Sequence, residues 1–311
     1  MGIEIYHYES SEKFYLRKEI IGDTKSYVGL PANSTDIKPP EYLEGHIPVF
    51  NGENWDIVED IFWRPKVIEL NYNAGRLRST YKPISFSLFK HFPSYPSMPK
   101  LCNSLQVVMA ISQKIKIIHQ LFENLCNNHS ACLKPENIII DGSNNDNFCC
   151  SPSLIYKYRF EIESMVYAMK RVIDSLAQLT YLLTNYDDFD KNRRIPFDGI
   201  GKIFAEDTPY AEVRMILIGD DENFKTDSTG FLKIINDLFN SFKHSLMHDE
   251  TYSLFCKEVP SIVSYQVKYN NHNKTIYYHN HNAYHIIMGF QDTIQRILNN
   301  QKEYISNKKS V

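Results

Sequence analysis

The stretch SLIYKYRFEIESMVYAMKRVIDSLAQLTYLLTN, residues 153–185, contains no glycine and no proline. Its apolar residues return at helical spacing through Tyr158, Ile162, Met165, Met169, Val172, Leu176 and Leu179. As one helix it would run close to about 50 Å at ~1.5 Å per residue. A helix of that length needs apolar partners along most of its face. The rest of the chain must supply them, and three further segments have the same period. Residues 103–128 carry Leu105, Met109, Ile115, Ile118 and Phe122, with Asn103 or Ser104 as cap. Residues 228–248 carry Phe231, Ile234, Ile235, Leu238, Phe242 and Leu246, with Ser228 or Thr229 as cap, and residues 283–301 form a closing amphipathic helix capped by Asn280 or Asn282.

The remainder reads as strands and turns. IEIYHYE and KFYLRKEI are short, aromatic and partly alternating, joined at Ser10-Ser11. HIPVF and WDIVED flank Asn51-Gly52, a strong hairpin signal because both residues tolerate positive φ. In WDIVED, Trp55, Ile57 and Glu59 fall on one face, and Asp56, Val58 and Asp60 on the other. KVIELNY reads as one more strand. IVSYQVKYNNHNKTIYYH alternates on both sides of NNHNK and predicts a second hairpin. The expected fold class is therefore α+β: a small N-terminal antiparallel β module followed by a mainly α-helical bundle with an inserted β-hairpin. The expected boundaries are a β module over 1–85, a linker over 86–102 marked by Pro93, Pro96 and Pro99, and a helical bundle over 103–305 with its hairpin near 262–279.

The chain has 311 residues, 43% of them hydrophobic and 23% charged, with a net charge of -3. That is globular composition, and it carries no electrostatic signature of a nucleic-acid coat or a membrane-surface protein. No apolar run reaches the roughly 18–20 residues that span a bilayer, and the start lacks the pattern of a signal peptide. None of the six cysteines forms a C-x-x-C pair, and reduced thiols in the cytoplasm of a bacterial host cell are expected.

The stretch LPANSTDIKPPEYLEGHIPVFNGENWDIVED resembles the small β module of tail fibre assembly proteins from tailed bacteriophages. The shared features are Pro39 and Pro40, the Glu44-Gly45 turn, the apolar strand ending at Phe50, and Asn51-Gly52 followed by Trp55 and the acidic end Glu59-Asp60. After Asp60 the chain reads IFWRPKV, where that family often continues with a histidine-arginine-glycine turn. The resemblance implies a phage or prophage origin and a module for protein contact; Phe50 and Trp55 read as core of its small sheet, with partner binding as their functional reading. The leading expectation is an interaction or assembly protein, with the β module as handle and the helical domain for recognition or oligomerisation. A protein partner is expected, a homo-oligomer is allowed, and no cofactor is called for.

A competing expectation is enzymatic. Long helices followed by NDLFNSFKHSLMHDE are similar to HEPN-type domains, some of which are metal-independent ribonucleases in toxin and anti-phage systems. On that reading Asn240, Lys243, His244 and His248 are catalytic and RNA is the substrate: histidine moves protons at the 2′-hydroxyl and a cation steadies the phosphate. The arginine of that motif is missing, and Lys243 lacks its bidentate fork. The blander reading has these cations complementing a helix C-terminus. His279, His281 and His285 form a third cluster, whose spacing offers a weak alternative as metal ligands. There is no phosphate-binding loop and no G-x-G-x-x-G. Asp174, set among apolar neighbours on the long helix, is expected to be buried and paired.

Overall fold

The computed structural model describes residues 3–10, 13–21, 30–43, 45–60, 66–68, 80–98, 103–140, 148–150, 152–205, 207–219, 230–244, 259–266 and 277–309. Two compact units divide between Lys66 and Val67, and the described residues of the first all lie within 1–66.

In the first unit β1 (Ile3–Tyr8) and β2 (Tyr15–Ile21) pair antiparallel, with Ile3 opposite Ile21 and a bulge between the His7 and Tyr8 pairings. A two-residue strand, β3 (Ser34–Thr35), lies on the other edge of β1. The hairpin expected around Asn51-Gly52 forms from β4 (His46–Phe50) and β5 (Trp55–Glu59). Its loop is longer than a two-residue turn, because Phe50 faces Trp55 across the ladder. The reason is local: Asn51 Oδ1 accepts from the amides of Glu53 at 3.0 Å and Asn54 at 2.8 Å, which closes a side-chain turn. Only Gly52 takes positive φ there, at 106°. In β5 only Trp55 is buried, and Ile57 and Val58 are both 40% exposed. The core of this unit is Tyr6, Phe50 and Trp55, with Tyr8 and Tyr15 against them.

The second unit is built on α2 (Ser104–Cys132) and α3 (Pro152–Thr184); a single helical turn, α1 (Leu88–His91), precedes them. Asn103 caps α2, accepting from the Gln106 amide at 2.9 Å. The buried residues of α2 are Ser104, Val108, Ile111, Ile115, Ile118, His119, Phe122, Leu125, His129 and Cys132, and all but His119 follow alternating steps of four and three. The expected positions Leu105 and Met109 are instead 53% and 47% exposed. The sequence period is sound at both phases of that first turn, and packing selects the phase continuous with Ile115 and Ile118. On α3, Ile155, Tyr158, Ile162, Met165, Met169, Val172, Leu176 and Leu179 are buried with the same rhythm. The two seams meet antiparallel: the rings of His129 and Tyr158 lie 6.0 Å apart, and Glu161 bonds Asn124. Such three-four spacing is what lets two long helices interdigitate.

Between them lies a short hairpin of β7 (Ile138–Ile140) and β8 (Phe148–Cys150). After α3 come α4 (Tyr186–Asn192), α5 (Ala211–Ile218) and α6 (Phe231–His244). The second expected hairpin is β9 (Ser261–Gln266) with β10 (Tyr277–Asn282), and β6 (Lys66–Ile68) lies beside β10. The strand β10 runs straight into α7 (Ala283–Lys309), capped by Asn282, which accepts from the Tyr284 amide at 2.9 Å. The architecture is α+β, as the patterning implies. The proposed caps Ser228 and Thr229 and the stripe residue Leu246 lie outside the described residues.

The proline-rich stretch is tied to α7. Phe86 and Phe92 are 2% and 6% exposed and belong to the helical core. The Ile84 amide donates to Gln291 at 2.6 Å, and Tyr95 donates to Gln301 at 2.5 Å. Gln301 in turn donates to Thr180 of α3 at 2.8 Å. The buried Tyr158 hydroxyl serves both backbone groups of Ser261, donating to the carbonyl at 2.7 Å and accepting from the amide at 2.8 Å. Tyr158→Phe leaves both without that partner and should cost about 1–3 kcal/mol in urea denaturation. A change under about 0.5 kcal/mol would mean that the bond contributes little to holding β9 on α3.

Candidate functional site

The first unit presents an open groove whose wall is the proline segment. Trp55 fixes that wall: its Nε1–H donates to the Ile37 carbonyl at 2.7 Å, so the indole of the hairpin pins the backbone just before Pro39-Pro40. The tryptophan itself is held by rings, with Phe50 at 5.2 Å and Tyr15 at 5.8 Å between centroids. The prolines keep the chain extended, and it cannot fold back on the sheet. The resulting groove has a volume of about 490 Å³ and is lined by Tyr6, Tyr15, Lys18, Lys38, Pro39, Pro40, Glu41 and Tyr42.

Its polar chemistry centres on Glu4. Lys18 donates to Glu4 Oε1 at 2.5 Å, and Tyr6 donates to Oε2 at 2.8 Å. The Lys18 bond, then the Tyr6 bond, holds the Glu4 carboxyl below its ordinary range, and the same bonds raise Lys18 and Tyr6. The pair is therefore charged at neutral pH. Tyr42, 47% exposed, and Lys38, also exposed, stand at the rim. An aromatic floor, a proline wall and rim cations suit an extended peptide better than a small metabolite, which prefers an enclosed cavity. None of these lining residues was singled out from the sequence apart from the two prolines. The available signal was tyrosine recurring on the strands that face a double proline.

Phe50 and Trp55, read from the sequence as sheet core and alternatively as partner-binding residues, are 7% and 8% exposed. They form the core of this unit together with Tyr6. The physical reason is that a core this small needs its largest rings inside.

Only part of the helix-end cluster lies within the described residues. Asn240 and Lys243 are exposed on α6, His244 is its last residue, and His248 lies outside the described residues. Asn240 and Lys243 meet solvent, and a cation such as Lys243 near a helix C-terminus is favoured there by the helix dipole.

The histidine cluster is assembled, but as a buried hydrogen-bonded group. His279 and His281 share one face of β10, and both are 0% exposed, with His285 at 4% in the first turn of α7. His279 Nε2–H donates to Gln266 Oε1 at 3.1 Å, which leaves Nδ1 to accept from His281 Nε2–H at 3.2 Å. Burial pushes His279 down to about 4 and His281 to about 3, the latter helped by its histidine neighbours. Both are neutral at pH 7. Among the described residues no group of three or more histidine, cysteine or acidic side chains is placed to hold a metal ion.

The fold defines a two-unit α+β protein whose first unit is a small aromatic-cored sheet with an open groove. Part of the chain has curated relatives. It is 48% identical over 48 residues to the prophage tail fiber assembly protein homolog TfaR of Escherichia coli strain K12, and 48% identical over 48 residues to the tail fiber assembly protein of Escherichia phage lambda. Each match covers 14% of this chain and spans a quarter (25%) of the relative. No protein-family model and no solved structure matches the chain. A tail-fibre-assembly-like region is thus present, while the ribonuclease-like cluster gains no support from geometry or from similarity. No helix among the described residues is long and apolar enough to cross a membrane.

Proposed function

We propose that this chain is a phage- or prophage-associated assembly protein, whose first unit is the handle that engages a protein partner. The observation that carries this reading is the 48-residue match to tail fibre assembly proteins. The groove supplies a physical means. Its floor of tyrosine and wall of proline offer apolar contact, and its rim lysines and the open edges of the sheet offer polar contact. The second unit, with its continuous core, serves recognition or oligomerisation in the cytoplasm of the host.

The test uses the full-length chain and the tail fibre encoded in the same phage or prophage. The wild type should co-sediment with the fibre. A Lys38→Ala/Tyr42→Ala double variant, which removes two exposed rim side chains, should bind at least about tenfold more weakly without loss of fold, since each well-placed interface contact is worth roughly 1 kcal/mol or more. No co-sedimentation by the wild type would defeat the assembly reading. Equal binding by the variant would move the contact away from the groove.

A further inference from the structure

The strand β2 ends its sheet among the described residues, in the order β2-β1-β3. Five successive residues, Leu16 to Ile20, are exposed whichever face they point to. Leu16 is 54% exposed and Ile20 64%. A strand bare on both faces and one edge is a template for another strand, and proteins usually cover or blunt it.

The open edge carries bonding groups in a defined phase. The Tyr8 amide donates to Asn33 at 2.9 Å, on the β3 side. By alternation along β1, Ile5 and His7 turn their backbone groups toward β2, where they face Glu19 and Arg17. Glu19 and Arg17 therefore bond inward, and Lys18 and Ile20 present their amides and carbonyls outward. At its start β2 is flanked by β4, through the bridge between Phe14 and Val49. The open part thus begins beyond Tyr15.

The side chains of that open part are complementary to themselves. Reversed about Lys18, Leu16 falls opposite Ile20 and Arg17 falls opposite Glu19. Arg17 and Glu19 would form the non-hydrogen-bonded pair, the kind whose side chains approach most closely. Lys18 would meet Lys18, but each is already neutralised by Glu4 at 2.5 Å. Within one copy, Glu19 pairs with His7 at 2.8 Å and with Arg17 at 3.3 Å.

We infer that β2 pairs antiparallel with β2 of a second copy of this chain, on a two-fold axis through Lys18. The contact joins two three-stranded sheets into one of six strands. It is isologous, with the same patch on both copies, as two-fold interfaces require. The inference stands independently of the assembly role, because it rests on the edge and its charge order alone.

The experiment is sedimentation velocity of the full-length chain over a concentration series. The wild type should form a dimer. Arg17→Glu and Glu19→Arg each put like charges opposite one another twice, and each should weaken the dimer at least about tenfold. Mixing these two single variants should restore a dimer, because their seams carry opposite charges. The double variant Arg17→Glu/Glu19→Arg should dimerise like the wild type. Far-UV circular dichroism separates loss of pairing from loss of fold. A wild type that stays monomeric at every concentration overturns the inference. So do single variants that dimerise as the wild type does, or a mixture that fails to pair while both variants are folded.

Discussion

Asp174→Asn should lower the stability of the helical unit by about 3 kcal/mol or more, because it strands a buried cation. Lys170 and Asp174 are one turn apart on α3, 6% and 8% exposed, and their Nζ–Oδ1 distance is 2.5 Å. The same carboxylate oxygen accepts from the Ile200 amide at 2.9 Å, so the pair also anchors the segment after α4. A β-carbon on Gly199 would lie 2.5 Å from Asp174 Oδ1, so only glycine lets the backbone come this close. Lys170 further lies 5.6 Å from the centre of the Phe239 ring on α6. Removing the carboxylate leaves the buried Lys170 cation without the counter-charge of Asp174. The companion variant Lys170→Met/Asp174→Asn removes both charges and should recover most of the loss, since a buried pair is worth little against apolar replacement. Urea midpoints of the three proteins decide it. If the double variant is as unstable as Asp174→Asn, a stranded cation is not the cause.

Stability should also fall steeply below pH 6.5. A buried histidine whose folded pKa is depressed binds its proton in the unfolded chain first. Its contribution is complete above the unfolded value of about 6.5 and is lost as pH drops below it. For His279 the loss continues to about 4, and for His281 to about 3. At pH 5 this amounts to about 2 kcal/mol for each, or about 4 kcal/mol together. His119, also lowered by burial, acts in the same direction. Glu161, Glu163 and Asp292 are raised by burial, so their neutral forms are favoured and they offset part of the loss. Guanidinium titrations at pH 7 and pH 5 should show the difference. In His279→Gln/His281→Gln the interval between the two pH values should shrink by most of that amount. An unchanged interval would place the acid lability elsewhere.

Much of the architecture is legible along the chain because it is periodic. The long helix over 153–185, the hairpin flanking Asn51-Gly52, the hairpin before the last helix, and the burial of Asp174 all follow from local pattern and turn chemistry. The site was less legible. Lys18 reaches Glu4, and Tyr6 and Tyr15 face Pro39 and Pro40, only because strands distant in sequence lie side by side. The histidines illustrate the same limit. Spacing of two on a strand predicts that His279 and His281 share a face, but not whether that face meets solvent, a metal or Gln266. Leu105 and Met109 show it for helices: periodicity proposes a stripe, and the neighbouring helix selects its phase.

By itself, the sequence determined the α+β class, the order of its elements and the likeness of one segment to tail fibre assembly proteins, since these depend on period, caps and turns within short windows. Tertiary structure decided that the histidine cluster is a neutral hydrogen-bonded group, that Lys18 reaches Glu4 beside Tyr6, and that β2 ends its sheet among the described residues. Burial and pairing depend on which surfaces meet in space, and no local pattern along the chain encodes that.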